Sequence, residues 1–266
     1  MKPQNWHAAM AIASVSFFAA VAPTYADNLI VGPTSAASSP GNAQGPAPIR
    51  YYGSGGSHVQ EVYSSAFFEG QGPQLISAVQ FRPYPGASPS GFFSDTVNVS
   101  DIQVRLSTTG MLDESGTPLS ATFAGNLGAD IQTVYSGALS LHTAATGTPV
   151  RDFDYTISFQ TPFLYNPAQG NLLLDFVIPT TATVSGSGFG FLTFDTVNTL
   201  NDGIYSVVDI NNGASLTGFA DTSGAITRFV STSVSAVPEP ETYAMMLAGL
   251  GILGFVARRK KRVIRD

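Results

Sequence analysis

The chain of 266 residues contains no cysteine. That excludes disulfides, thiolate metal sites and cysteine nucleophiles, and an exported domain of this size can rely on its core instead of covalent staples. Lysine is missing from the whole stretch between Asp27 and Ala236, which removes P-loop and Schiff-base chemistry. The same stretch carries five arginines (Arg50, Arg82, Arg105, Arg151, Arg228) against fifteen acidic residues, a net charge of −10 where the whole chain has −6. A body this acidic repels phosphate backbones, so no nucleic-acid partner is expected. Histidine is scarce too: His58 and His142 are the two in the body, and no GxSxG elbow accompanies them. Nor does any part of the body repeat its apolar residues at helical spacing between caps.

What is present at the N-terminus is a targeting segment. Lys2 precedes an apolar run from Ala8 to Ala22, followed by Pro23 and the small-residue site Thr24-Tyr25-Ala26. Residues 1–26 therefore read as a secretory signal peptide, cut by signal peptidase after Ala26. Residues 27–49 are rich in Ser, Ala, Gly and Pro and read as a flexible leader.

From residue 50 to 233 strand signals recur at short intervals between Gly, Pro, Ser and Asn. Phe153 to Gln160 alternates apolar and polar residues with the period of a half-buried strand. Between Val97 and Leu106 the apolar parity switches from odd to even, which predicts a β-bulge near Ser100-Asp101. Leu172 to Ile178 is apolar on both faces, as in a central strand, apart from Asp175. Further strands are expected over 58–68, 75–82, 132–141, 189–194, 204–210 and 226–232. The fold class that follows is all-β, an antiparallel β-sandwich of jelly-roll type.

Half of all Lys and Arg in the chain fall in the last nine residues. Residues 234–242 form a tether with Pro238, Glu239 and Pro240. Residues 243–257 are apolar or small throughout, and 258–266 form a basic tail with Arg258, Arg259, Lys260, Lys261 and Arg262. As a helix, 243–257 spans about 23 Å, short of the roughly 30 Å hydrocarbon core. Tyr243 and the snorkelling arginines make up much of the deficit. The positive tail stays cytoplasmic, so a single transmembrane helix leaves the body outside. Gly249, Gly251 and Gly254 fit the GxGxxG dinucleotide pattern, but no strand precedes them and the chain ends too soon for an acidic ribose ligand.

Pro-Glu-Pro, a short apolar helix and a terminal Arg/Lys cluster resemble the PEP-CTERM sorting signal of Gram-negative bacteria. The resemblance implies recognition of Pro238, Glu239 and Pro240 by exosortase, and transient anchoring in the inner membrane before processing. It further implies delivery to the cell surface or extracellular matrix, in a setting of exopolysaccharide and biofilm. The body loosely resembles β-sandwich domains on other proteins with this tail.

Within the body the sequence offers few reagents. Asp152 and Asp154 share one face of an expected strand about 7 Å apart, a spacing that permits a glycosidase acid pair and equally a solvated face. Asp175 needs a partner inside its strand, with Arg105, Arg151 or Ca²⁺ as candidates. Asp202, Asp209 and Asn211, with Asn212, offer hard oxygen ligands for Ca²⁺ without EF-hand spacing. Tyr84, between two prolines, and Phe92-Phe93 are the rings least required by a core, and they are the candidate glycan contacts. The expectation is a non-catalytic surface protein without a resident cofactor. A carbohydrate-binding module is the second reading, and a polysaccharide-degrading enzyme the third.

Overall fold

The computed structural model describes residues 26–45, 49, 56–86, 96–111, 119–186, 194–234 and 246–253. The signal segment before residue 26, the tether, the basic tail, Phe92 and Phe93 lie outside the described residues.

Fourteen strands, β1 to β14 in chain order, form three sheets among the described residues, and every pairing is antiparallel. The first sheet has the order β1 (Ala26–Val31), β14 (Thr227–Ser233), β4 (Gln74–Phe81), β7 (Tyr155–Tyr165). The largest has the order β12 (Phe219–Asp221), β11 (Ile204–Asp209), β3 (Ser57–Tyr63), β8 (Asn171–Ile178), β5 (Thr96–Thr109), β6 (Gln132–His142), with β9 (Val184–Gly186) paired to β5. A small third sheet joins β13 (Ser223–Ala225), β10 (Phe194–Asn198) and β2 (Ala43–Gly45).

Alternation along the strands places one continuous core between the two main sheets. Ile76, Val79, Phe81, Tyr155, Ile157, Phe163 and Phe229 from the smaller sheet join Val59, Tyr63, Val104, Leu106, Leu174 and Phe176 from the larger. A second, smaller cluster lies on the outer face of the larger sheet, where Phe123 and Leu119 cover Val62, Leu173 and Val207. β8 is consequently buried on both faces and lies between β3 and β5, as its apolar run predicts.

The expected bulge is present: the β5–β6 register shifts between Val99 and Ile102, leaving Ser100 and Asp101 unpaired with β6. The Ser100 N–H instead donates to Thr183 O at 2.9 Å. The strand expected over 58–68 ends at Tyr63, because the Ser64 hydroxyl accepts from Ala66 N–H and caps a 3-10 turn over Ser65–Phe68.

Residues 27–49 differ from a flexible leader. β1 pairs along its whole length with β14, β2 pairs with β10, and Val31, Ala36 and Ile49 are buried. Composition suggests a linker here, but long-range partners hold the backbone. Buried Arg82 donates from Nη1 to Ala36 O (2.6 Å) and from Nη2 to Ser39 O (3.0 Å), while Asp195 Oδ1 accepts from Gly41 N–H (2.9 Å). Near the C-terminus, 246–253 is helical with Leu247, Leu250, Ile252 and Leu253 exposed. No helix among the described residues is long and apolar enough to cross a membrane.

Candidate functional site

The outer face of the larger sheet carries the partners of Asp175. Register sets Gln60, Asp175 and Arg105 side by side across β3, β8 and β5. Arg105 Nε donates to Asp175 Oδ2 at 2.5 Å, and Arg105 Nη2 bonds the same oxygen. On the other side His58 Nε2 lies 2.8 Å from Asp175 Oδ1. The anticipated arginine is thus Arg105, and His58 is an addition that sequence reasoning missed. Phe123 stacks flat on the His58 ring, with centroids 3.6 Å apart and planes 15° from parallel. Gln60 and Asn126 fasten that roof: Gln60 Nε2 donates to Phe123 O (3.1 Å) and Asn126 Nδ2 to Gln60 Oε1 (3.0 Å).

This His–Asp pair is poorly arranged for proton transfer. The remaining ring nitrogen, Nδ1, faces the carbonyl of Ser215 at 3.4 Å, so both nitrogens sit against acceptors. With the ring face roofed as well, both nitrogens are engaged inside the protein and the ring offers little access to an incoming hydroxyl. The arrangement is one buried carboxylate held between the Arg105 guanidinium and the His58 ring.

A different arrangement occupies the outer face of the smaller sheet. Ile30, Arg228, Gln80 and Thr156 form a row across β1, β14, β4 and β7. Arg228 Nε donates to Gln80 Oε1 (2.6 Å), and Gln80 Nε2 to Thr156 Oγ1 (2.9 Å). The row ends at a cavity of about 460 Å³ lined by Arg82, Arg151, Arg228, Asp152 and Phe153. The guanidinium carbons of Arg82 and Arg228 stand 5.0 and 4.9 Å from the Phe153 ring centroid. Arg82 is fully enclosed and paired to Asp195 through Nε at 2.7 Å. Burial pushes the Asp195 carboxyl up against the opposing pull of Arg82.

Arg151 and Arg228 are different, because the acceptors they meet are neutral. Arg151 bonds the carbonyls of Ala145, Gly147 and Pro85, and Arg228 bonds Gln80 and the Phe153 carbonyl at 3.1 Å. No carboxylate among the described residues forms an ion pair with either. Burial depresses the Arg228 pKa, and the more distant Asp152 only partly offsets it.

The remaining sequence candidates separate. Asp152 and Asp154 precede β7 instead of lying in it; Asp152 accepts from the Thr146 hydroxyl (2.5 Å), and Asp154 from the Thr143 hydroxyl and Ala144 N–H (both 2.8 Å). Asp202 lies before β11, and Asp209 ends it, so the strand between them holds the two apart by about 16 Å or more. Asp209 Oδ1 accepts from the N–H groups of Asn211 and Asn212 in a turn. No group of three His, Asp or Glu able to hold a metal occurs among the described residues. Tyr84 is half-buried in the turn before Gly86, and the neighbouring Pro85 carbonyl accepts from Arg151 at 3.5 Å.

A second, more apolar cleft of about 270 Å³ opens beside β11 and β12, lined by Leu200, Tyr205, Phe219, Asn201, Asp221 and Thr222. Leu200 and Phe219 are 73% and 71% exposed there. Sequence reasoning singled out neither residue.

Residues 236–261 match the PEP-CTERM protein-sorting motif, a span that holds Pro238, Glu239, Pro240 and most of the basic cluster. The motif marks the chain for exosortase processing, export and sorting to the cell surface of a Gram-negative bacterium. No curated protein and no solved structure matches the chain.

Proposed function

We propose that this chain is an exosortase substrate whose β-sandwich works without catalysis at the cell surface or in the extracellular matrix, in association with exopolysaccharide. The sorting motif at 236–261 carries this reading. In the precursor, 243–257 holds the inner membrane with the basic tail in the cytoplasm, while exosortase reads Pro238, Glu239 and Pro240. Signal peptidase acts at the other end, after Ala26. That cut removes only the first residue of β1 and leaves Asp27–Val31 to pair with β14. The closed His58–Asp175 pair supports a non-catalytic body.

The experiment is Glu239→Ala in the native host, with the protein followed through cell fractionation. The mature, surface-located form should fall and a membrane-bound precursor accumulate. Unchanged processing and location would overturn the sorting assignment.

A second reading, that the body binds carbohydrate, is favoured by the exposed Phe219 in the cleft with Tyr205, Asn201 and Asp221. Aromatic faces stack on sugar rings while neighbouring amides and carboxylates bond hydroxyls. Screening the protein against neutral and acidic polysaccharides tests it; absence of binding to all of them removes this reading and leaves the sorting assignment intact.

A further inference from the structure

The body has five arginines in an excess of acid, and three of them line one cavity. Arg82 is accounted for by Asp195 and by the backbone it fastens. Arg151 and Arg228 are not accounted for in that way. Both are only partly exposed, both bond neutral acceptors, and neither forms an ion pair with a carboxylate among the described residues. A half-buried cation whose hydrogen bonds go to neutral groups, with Asp152 offsetting its burial only in part, is an unfavourable arrangement that folding alone does not require. The one carboxylate lining the cavity, Asp152, is turned to the Thr146 hydroxyl. Meanwhile Gln80 and the Phe153 carbonyl fix the Arg228 guanidinium through Nε and Nη2, so its orientation is preset.

We propose that the cavity on the outer face of the smaller sheet is an anion site, in which Arg228 and Arg151 take the carboxylate of an acidic sugar. Guanidinium groups bind planar carboxylates through paired N–H donors, and a fixed guanidinium loses little freedom in doing so. The cavity volume of about 460 Å³ is in the range that holds small molecules and exceeds what a bare carboxylate fills. The sugar identity rests on the carbohydrate-binding reading of the body; the carboxylate rests on the arginines alone. Asp152 acts against the ligand, as a nearby like charge, and sets a ceiling on affinity. The body's −10 charge repels a polyanion at long range, so attraction has to come from local cations such as these arginines.

Isothermal titration of the full chain tests this with three probes: a glucuronate oligosaccharide, a neutral glucose oligosaccharide of equal length, and succinate. The glucuronate oligomer should bind, and Arg228→Gln should weaken it at least about tenfold, the loss expected for one charged hydrogen-bonded contact. Arg151→Gln should weaken it less, and Asp152→Asn should tighten it. Circular dichroism and urea melts establish that each variant is folded, and the Asp152→Asn gain cannot arise from unfolding. Neutral oligosaccharide binding that equals the acidic oligomer and ignores Arg228→Gln overturns the anion site while the carbohydrate reading stands. Succinate binding as tightly as the oligomer overturns the sugar assignment and leaves a carboxylate site. No binding of any probe by the unmodified protein overturns the proposal.

Discussion

The outer faces of the two main sheets carry similar side chains in opposite arrangements. On the larger sheet a single carboxylate, Asp175, lies between Arg105 and His58, and Phe123 closes the assembly from above. On the smaller sheet the cations outnumber the carboxylates, the arginines bond carbonyls and an amide, and a cavity stays open. The contrast separates two uses of buried charge. Where every charge has its counter-charge and a roof, the cluster holds the fold together. Where guanidinium groups are preset on neutral acceptors beside an open cavity, as Arg151 and Arg228 are, the proposed anion site has its place.

That contrast can be broken most forcefully at the closed end. Asp175→Ala leaves Arg105 and His58 facing each other beside the roof, and should cost about 3–5 kcal/mol in urea denaturation. Phe123→Ala should cost about 3 kcal/mol, at the lower end for a buried ring because its cluster is the smaller of the two. It should also expose the His58 ring to diethylpyrocarbonate, whereas the intact protein stays protected. Equal reactivity before and after would show that Phe123 is not the seal. At the open end the effect on stability is smallest: Arg151→Gln gives up only bonds to neutral carbonyls and should cost about 1 kcal/mol. A loss as large as that of Asp175→Ala would mean that the two faces do the same structural job.

Between these extremes lies a third carboxylate, inside the core. Glu61 accepts from Tyr63 Oη at 2.5 Å and from Ala225 N–H at 2.9 Å, and burial pushes its pKa up. In the window above the ordinary carboxylate value the folded chain therefore holds more protons than the unfolded one. Stability should fall as pH rises from that value through the raised one. Urea midpoints measured across that range should decline, and Glu61→Gln should flatten the decline. Asp195 and Asp202, also pushed up by burial, contribute in the same direction and keep the profile from becoming wholly flat.

Local pattern made the strands legible and left their outer faces obscure. The β5 bulge is written in the parity switch at Ser100-Asp101, and β8 in its two-faced apolar run. Asp175 announces itself as a charge inside that run, and Arg105 is one of few available cations. His58 is not visible in this way, because β3 is buried on both faces and its polar residues follow no single parity. Its roof comes from the segment around Phe123, which only the folded chain brings over it. The arginine cavity is harder still. Arg82, Arg151 and Arg228 come from three separate segments, and only the fold shows that Arg82 meets Asp195 while Arg151 and Arg228 bond neutral acceptors. The order in residues 26–45 was likewise hidden, since Gly, Ser and Pro read as a linker until Arg82 and Asp195 supply the anchor points.

β14 is the last strand of the body, yet it lies inside its sheet, between β1 and β4. The sorting segment follows this strand in sequence, so a pull applied through the C-terminal end of the body is taken up first by β14. Two neighbours grip β14 from opposite sides, and a pull along its axis strains those hydrogen bonds together instead of opening them one after another. One of the two grips is β1, the first strand of the described fold. The first and last strands of the body are thus clamped to each other, and removing β1 would convert a shear-resistant fastening into one held from a single side.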